Sequence, residues 1–407
     1  MAIAVSTKSI DHLQHQLTES LEGFRSQHEE TDRVAALKAA QKLVNALQKP
    51  QDSVYHLAYS GGDVGANTVQ PTHAMCVRIA IDLGIFTTLT ERNAPVSLDE
   101  LAAVKKASPI LVERVLRVLV GIDYVGESDT RIYIATTMTR QLTDRLSISV
   151  IKFIFDVGMP TLAKVPDFLR SQDYRNPEGA ATGPLQFAEK IDETIWTWLP
   201  QNPENLDSCN TFMEGDRGAR PSWLEWFPVE ERLLCNADPD AEILMVDVAG
   251  GRGHDLAAFM ARYPDAEGRL VLQDLPHVLE ESNLDTQRIE KQPFDLFKPQ
   301  PIHGARIYYM KFILHDWSDE DNHVILTQLA GAMKKGYSKL IIEEFVMADR
   351  DGAMLPAMWD WEMMIFCNSM ERSQSHWNRL LEGAGFKVVK FWAPPGDGQS
   401  IIEAELK

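Results

Sequence analysis

The sequence predicts a doubly wound, Rossmann-like α/β domain over residues 236–407 and an all-helical, winged-helix-like domain ahead of it. Three observations carry this. After about residue 240, short apolar runs alternate with helical stretches, the signature of strands and covering helices. The first apolar run ends in glycines, as a buried parallel strand does where it turns into a helix. Further upstream, three capped helices are followed by an alternating hairpin.

In chain order, residues 8–48 read as polar and helical, with Leu13, Leu17 and Leu21 spaced by four and Leu37, Leu43 and Leu47 further on. The Gly-rich stretch 59–72 breaks the pattern, so residues 1–68 form an arm. Ile79–Phe86 is apolar with helical period. Ser97 and Glu100 have the spacing of a capping box. Ser108-Pro109 starts a further helix, with Val112, Val115, Leu116 and Leu119 on one face and Gly121 as its stop. Residues 122–139 alternate around a turn. Helices plus hairpin make a winged helix within 69–235, read either as a DNA reader through Arg114 and Arg117 or as a packing and dimerisation module. Residues 146–235 are helical and aromatic, mostly core, with a few rings expected to line a pocket for a flat ligand. Strands follow at Ile243–Val248, Leu270–Asp274, Arg306–Lys311 and Lys339–Glu344, with helices at 254–262, 319–334 and 374–383 and a closing strand pair near 386–393 and 400–406.

The charge balance narrows the partners. Forty Lys and Arg against 59 Asp and Glu give −19, a surface that repels phosphate backbones, so no nucleic-acid partner is expected. No run of about 18 apolar residues occurs, so no membrane partner is expected either. The opening MAIAVSTKSIDHLQHQ lacks a signal peptide's basic and apolar regions. Four cysteines, none in a Cys-x-x-Cys pair, fit a reducing compartment, and the expected location is cytoplasmic.

The chemistry is expected along the carboxyl edge of the sheet, where such folds bind ligands. Asp247-Val-Ala-Gly-Gly-Arg-Gly253 sits where the first strand meets its helix, and its glycines let the backbone approach a ligand closely. Asp274 closes the second strand, placed to accept ribose hydroxyls. Asp295 is open to two readings, a receiver of an adenine amino group or a plain loop acid. These features fit a nicotinamide cofactor and S-adenosylmethionine equally.

Met310-Lys-Phe-Ile-Leu-His-Asp-Trp-Ser-Asp-Glu320 decides between them. It puts His315 where a strand exits into a loop. Methyl transfer from a sulfonium to oxygen needs alignment and a deprotonated acceptor. A phenol titrates near 10 and histidine near 6.5, so His315 is the natural base. Such a base works best when a carboxylate holds its other nitrogen. Glu344 and Glu371 are the candidates. A metal site on these residues is the weaker reading, because no His-x-x-His or Asp-x-Asp spacing supports it.

These residues carry a resemblance. The carboxyl-terminal half resembles the plant and fungal small-molecule O-methyltransferases of the caffeate/flavonoid type. The matching stretches are VDVAGGRG (246–253), LQDLPHVLE (272–280), FDLF (294–297), MKFILHDWSDED (310–321), IIEEF (341–345) and LLEGAGFK (380–387), with FPVEERLL (227–234) fitting more loosely. The resemblance implies S-adenosylmethionine as cofactor, S-adenosylhomocysteine as product and no metal. It implies that Gly250, Gly251 and Gly253, with Asp247, wrap the methionine portion. Asp274 and Leu275 would take the ribose. Asp295, Leu296 and Lys311 would flank the adenine, with Trp317 stacking near it. His315 would be the base, framed by Glu344 and Glu371 with Asp316 beside it. Phe187, Trp196, Phe212, Met213 and Met363 are the expected pocket for a small aromatic substrate, and a homodimer through the amino-terminal domain is expected. Ala249 departs from the family, which often has a third glycine there, and the arm before residue 59 is not part of the plant pattern. Some fungal relatives are pericyclases that keep the cofactor without transferring its methyl, which leaves a second reading beside O-methyl transfer.

Overall fold

A computed structural model describes residues 7–47, 71–179, 181–214, 220–235, 237–238, 242–284, 288–350, 352–396 and 398–407. The expected break at 59–72 lies outside these residues, except for Pro71 and Thr72, which open a helix. The chain divides into two compact units, one of residues 1–157 with 207–215, the other of 158–206 with 216–407.

In the first unit, Thr7–Gln27 and Glu30–Leu47 are two helices, where the sequence suggested one helical stretch. Helices Pro71–Leu83, Ile85–Arg92, Leu98–Val104 and Pro109–Gly121 follow. Ser97 and Glu100 form the expected capping box. Val112, Val115, Leu116 and Leu119 are buried in one core with Phe86, Leu89 and Tyr133. The hairpin is β2 (Val125–Asp129) with β3 (Ile132–Ala135). A short β1 (Val96–Ser97), too brief to show in the sequence, adds to β3. Arg117 and Arg131 both pair with Glu113, so the unit spends these cations on its own acid.

The second unit is built on a seven-stranded sheet of β4 (Ile243–Val248), β5 (Arg269–Asp274), β6 (Ile289–Pro293), β7 (Ile307–Lys311), β8 (Lys339–Glu344), β11 (Phe386–Trp392) and β12 (Ser400–Leu406). Their order is β11-β12-β8-β7-β4-β5-β6. β4 to β8 pair in parallel, while β12 runs antiparallel to both β8 and β11. Strand residues alternate between two cores: Val246, Tyr308, Met310 and Ile342 on one face, Met245, Tyr309 and Ile341 on the other. Both faces are covered, which is why the strands read as unbroken apolar runs. β6, with its polar Glu290, Lys291 and Gln292, escaped the sequence reading for the same reason. So did the helix Met354–Cys367, apolar almost all round, and a two-stranded parallel ribbon of β9 (Val346–Met347) and β10 (Arg372–Ser373).

Residues 158–206, read from sequence as part of the helical region, fold with the sheet unit. Part of the aromatic middle is its core: Trp223 is fully buried and stacks on Tyr309 at 5.3 Å. The helical run Arg145–Ser171 is long and apolar enough by composition to cross a membrane, a property the sequence reading did not find. Asp156 within it forms an ion pair with Arg78 at 3.0 Å, a protein contact rather than a lipid-facing one.

Candidate active site

The carboxyl ends of β4 and β7, neighbours in the sheet, each run into a tight turn. After β4, Ala249, Gly251 and Gly253 all take left-handed backbone angles, with φ of 58°, 60° and 83°. Glycine adopts this region freely. Alanine does so at a cost of about 1–2 kcal/mol. A Cβ on Gly250 would meet the Asp247 carboxylate at 2.4 Å, so only glycine fits there. The turn is closed by Asp274, whose two carboxylate oxygens accept from the amides of Gly251 (2.8 Å) and Leu275 (2.6 Å). Burial pushes the Asp274 carboxyl up in pKa against these two hydrogen bonds. Asp247 is deeper still. Burial, then the charge of Asp255, raises its pKa well above the ordinary range, and its Oδ2 has no hydrogen-bond partner among the described residues.

After β7 the chain turns differently. Phe312 has a φ of 52°, an outlier for a bulky side chain that costs on the order of 1–2 kcal/mol. A single 3-10 turn, Leu314–Asp316, then presents His315, which is 1% exposed. Glu344, the last residue of β8, accepts through Oε1 from the amides of Ile313, Leu314 and His315 at 3.2, 2.8 and 3.3 Å. Pairing of Arg372 with Val346 in the ribbon brings Glu371 to the same place. Its Oε1 lies 2.8 Å from His315 Nδ1. The ring's Nε2 has Asp316 Oδ1 at 3.6 Å, a charge contact longer than a hydrogen bond. The two glutamates therefore divide the work: Glu344 holds the backbone of the turn and Glu371 holds the ring.

Burial works to lower the pKa of His315. The charges of Glu371 and Asp316, the hydrogen bond to Glu371 and the charge of Glu344 outweigh it and raise the imidazole to about 10. Burial pushes Glu344 up to about 7 and Asp316 to about 6, each opposed by the charge of His315. Oε2 of Glu344 and Oε2 of Glu371 are buried without a partner among the described residues. Ligand atoms of His315, Glu344 and Glu371 lie within 4.8 Å of one another, so the cluster is an acid-rich nest for a proton or another cation.

Asp316 also lines a small pocket with Trp317, Thr194, Ile195, Trp196, Phe366 and Cys367, and accepts from the Cys367 thiol at 3.4 Å. Trp196 and Trp317 thus come together. Trp317 meets Phe297 edge-on at 4.9 Å. Met363 is buried in the helix Met354–Cys367. Phe187 is not part of that lining; it is 42% exposed and edge-on to Phe168. Phe212 and Met213 belong to the first unit, where Phe212 packs on Phe153. Asp295 is exposed and accepts from the Phe297 amide at 3.0 Å, and Leu296 packs on the sheet core. Lys311 is engaged with Asp255 (3.2 Å) and His254 (3.3 Å) at the start of the helix after the glycine turn, two residues the sequence reading left unassigned.

Residues 226–387 match the model of an O-methyltransferase domain and residues 72–145 that of an O-methyltransferase dimerisation domain. The O-methyltransferase asqD of Emericella nidulans is 37% identical over 82% of this chain and 87% of its own. The chain belongs to the O-methyltransferase family. Two solved structures, each 25% identical, are similar across nearly the whole fold. One is described as a pericyclic reaction enzyme, with a TM-score of 0.87 over 99% of this chain and 100% of that one. The other is OxaC in complex with S-adenosylhomocysteine and oxaline, with a TM-score of 0.83 over 98% and 100%.

O-methyltransferases of this family use S-adenosylmethionine, and the glycine turn of this chain fits it. Asp247 offers a buried oxygen without a partner among the described residues, beside a glycine at 250 whose Cβ would crowd its carboxylate. A Cβ on Gly251 would meet nothing within 4 Å, so that side of the turn is open. Asp274 stands at the end of the next strand, where a ribose is received in such sheets. Beyond the residues expected from sequence, this O-methyltransferase pins its histidine turn with Arg372 and Asn322. Arg372, 1% exposed, donates to the carbonyls of Leu314 and Trp317 at 2.8 Å, and Asn322 donates to the same two carbonyls. The only sequence signal for Arg372 was its place beside Glu371.

Proposed function

We propose that this O-methyltransferase methylates a hydroxyl, phenolic or N-hydroxyl, on a small aromatic secondary metabolite, with His315 as general base. The reading rests chiefly on one observation: Glu371 occupies Nδ1 of a buried imidazole, which leaves Nε2, 3.6 Å from Asp316 Oδ1, as the nitrogen to meet an acceptor.

Gly250, Gly251 and Gly253 with Asp247 would hold the methionine portion of the cofactor and Asp274 its ribose, with Asp295, Leu296 and Trp317 on the adenine side. S-adenosylmethionine, when bound, supplies a methyl group on a positively charged sulfur, and that charge lowers the proton affinity of an imidazole set among acids. The acceptor lies in the pocket with its hydroxyl on Nε2. As its oxygen gains the methyl, its proton passes to Nε2 of His315, and Glu371 steadies the resulting imidazolium. Trp196, Trp317 and Phe366 supply flat apolar walls suited to an aromatic acceptor. Further elements of the proposal are a homodimer through the amino-terminal unit, in line with the dimerisation-domain match; no metal; and a cytoplasmic location.

Methyl-labelled S-adenosylmethionine and a panel of phenols and N-hydroxy heteroaromatics would identify an acceptor. His315→Ala should then lower kcat by roughly 10²–10⁴-fold while cofactor affinity stays within about twofold, since the base acts in the transition state. Unchanged turnover in that variant sinks the assignment. Likeness to the pericyclic enzyme supports a second reading, a cyclase or isomerase that keeps its methyl donor intact. It requires substrate conversion without accumulation of S-adenosylhomocysteine.

A further inference from the structure

The hydrogen bond from Nδ1 to Glu371 fixes one nitrogen of His315 but leaves the ring free to rock about that bond. The faces of the ring are constrained by something else. Phe312 stacks on the imidazole, with centroids 4.9 Å apart and planes 20° apart. Trp359 packs nearly parallel to Phe312, at 5.1 Å and 3°. Trp359 and His315 are 6.4 Å apart and 19° from parallel, so the three rings are nearly parallel and form a triangle in which Trp359 neighbours both of the others, and Phe345 closes their edge at 5.8 Å from Phe312 and 5.5 Å from Trp359.

This arrangement explains the backbone of Phe312. Its left-handed φ departs from the conformation a bulky residue prefers, and it persists because the ring is 5% exposed and fixed among three aromatic neighbours. Trp359 comes from the helix Met354–Cys367, and the next residue, Asp360, accepts from the amide of Glu371 at 2.9 Å. Two consecutive residues of one helix therefore reach both constraints on the base: Trp359 its ring, together with Phe312, and Asp360 the backbone of its carboxylate partner.

We propose that Trp359, packed with Phe312 against the imidazole, is a positioning residue that fixes the plane of the His315 ring. The inference rests on His315 being the base, as set out above. A base tilted out of line loses rate without loss of substrate affinity.

The test uses the full chain, methyl-labelled S-adenosylmethionine and the acceptor with the highest turnover in the panel. Trp359→Leu should lower kcat roughly tenfold or more, with both KM values within about twofold, and Trp359→Phe should recover most of the loss. In the cofactor-free protein, the imidazole nitrogen signals of His315, assigned by their absence in His315→Ala, should broaden or double in Trp359→Leu. Full kcat in Trp359→Leu overturns the proposal, as does a loss that Trp359→Phe shares equally or that comes with a matching rise in KM. If Trp359→Leu fails to fold, Phe312→Leu is read by the same criteria. His315→Ala run alongside separates the two ideas: retained turnover there defeats the base assignment, whereas lost turnover there with full rate in Trp359→Leu defeats only the stack.

Discussion

The turns after β4 and β7 stand side by side at the same sheet edge and are built on opposite principles. The glycine turn is a matter of backbone shape: left-handed angles at Ala249, Gly251 and Gly253, and a glycine at 250 because nothing larger fits against Asp247. The histidine turn is a matter of side chains arriving from elsewhere. Glu344, Glu371, Asn322 and Arg372 all converge on residues 313–317. A turn meant to wrap a ligand's backbone-like atoms uses little side-chain bulk. A turn meant to present one nitrogen in a fixed place needs many anchors.

If that contrast holds, the largest losses come from the histidine turn's distant anchors. Glu371→Gln should cost roughly a hundredfold or more in kcat, because the orienting negative charge on Nδ1 is gone. It should also move the acid limb of kcat/KM for the cofactor to lower pH. The wild-type imidazole, raised to about 10, must lose its proton before it can act, so the wild-type rate climbs from neutral toward alkaline pH. A rate profile in which the mutant and wild type overlay would break the contrast. Arg372→Met should destabilise by about 2 kcal/mol, since it removes a charged donor from two buried carbonyls and from Asp319, which keep Asn322, Ser369 and His376 as partners, and urea unfolding reads this directly.

Asp274→Asn belongs to the other turn and should behave differently. Cofactor binding by calorimetry should weaken roughly tenfold, about 1.4 kcal/mol, with kcat at saturation little changed. Stability against pH probes the acid cluster as a whole. His315, Asp316 and Glu344 all have folded pKa values raised above their free ones. Stabilisation from each is full below its unfolded pKa and is lost as pH rises through the folded value. Asp316 and Glu344 therefore lose their contribution as pH rises from about 4 to about 6 and 7, and His315 as it rises from about 6.5 to about 10, so the Tm should fall across pH 4 to 10, carried by His315 above pH 7. The smallest effect is Ala249→Gly, which removes backbone strain at the expense of unfolded-chain entropy. A change in unfolding free energy within about 1 kcal/mol is expected, with cofactor affinity unchanged.

The same contrast governs what could be read in advance. The glycine turn follows local rules, so Gly250, Gly251, Gly253 and Asp274 were visible from spacing alone. His315, Glu344 and Glu371 were visible as residue types, and the resemblance implied their grouping. The sequence did not tell which glutamate takes the ring, because that depends on β9 and β10, two residues each, bringing position 371 beside 344. Phe312 in a left-handed conformation had no sequence signal, since the rings that sustain it include Phe345 and Trp359, 33 and 47 positions on. Lys311 was expected at the adenine, yet its ammonium is drawn to Asp255 and His254, a pairing set by the neighbouring of β4 and β7 in the sheet.

β12 lies between β8 and β11, so one edge of β8 has no strand beside it until residues 400–406 have been synthesised. Ser400 is the register partner of Glu344, and Glu403 on the same strand is fully buried and paired with Arg232. A chain that stops short of residue 400 thus carries an exposed strand edge next to Glu344. Ribosome-bound intermediates of this enzyme should be inactive and prone to sheet-to-sheet association, and premature stops before residue 400 should yield aggregate rather than a weakened enzyme.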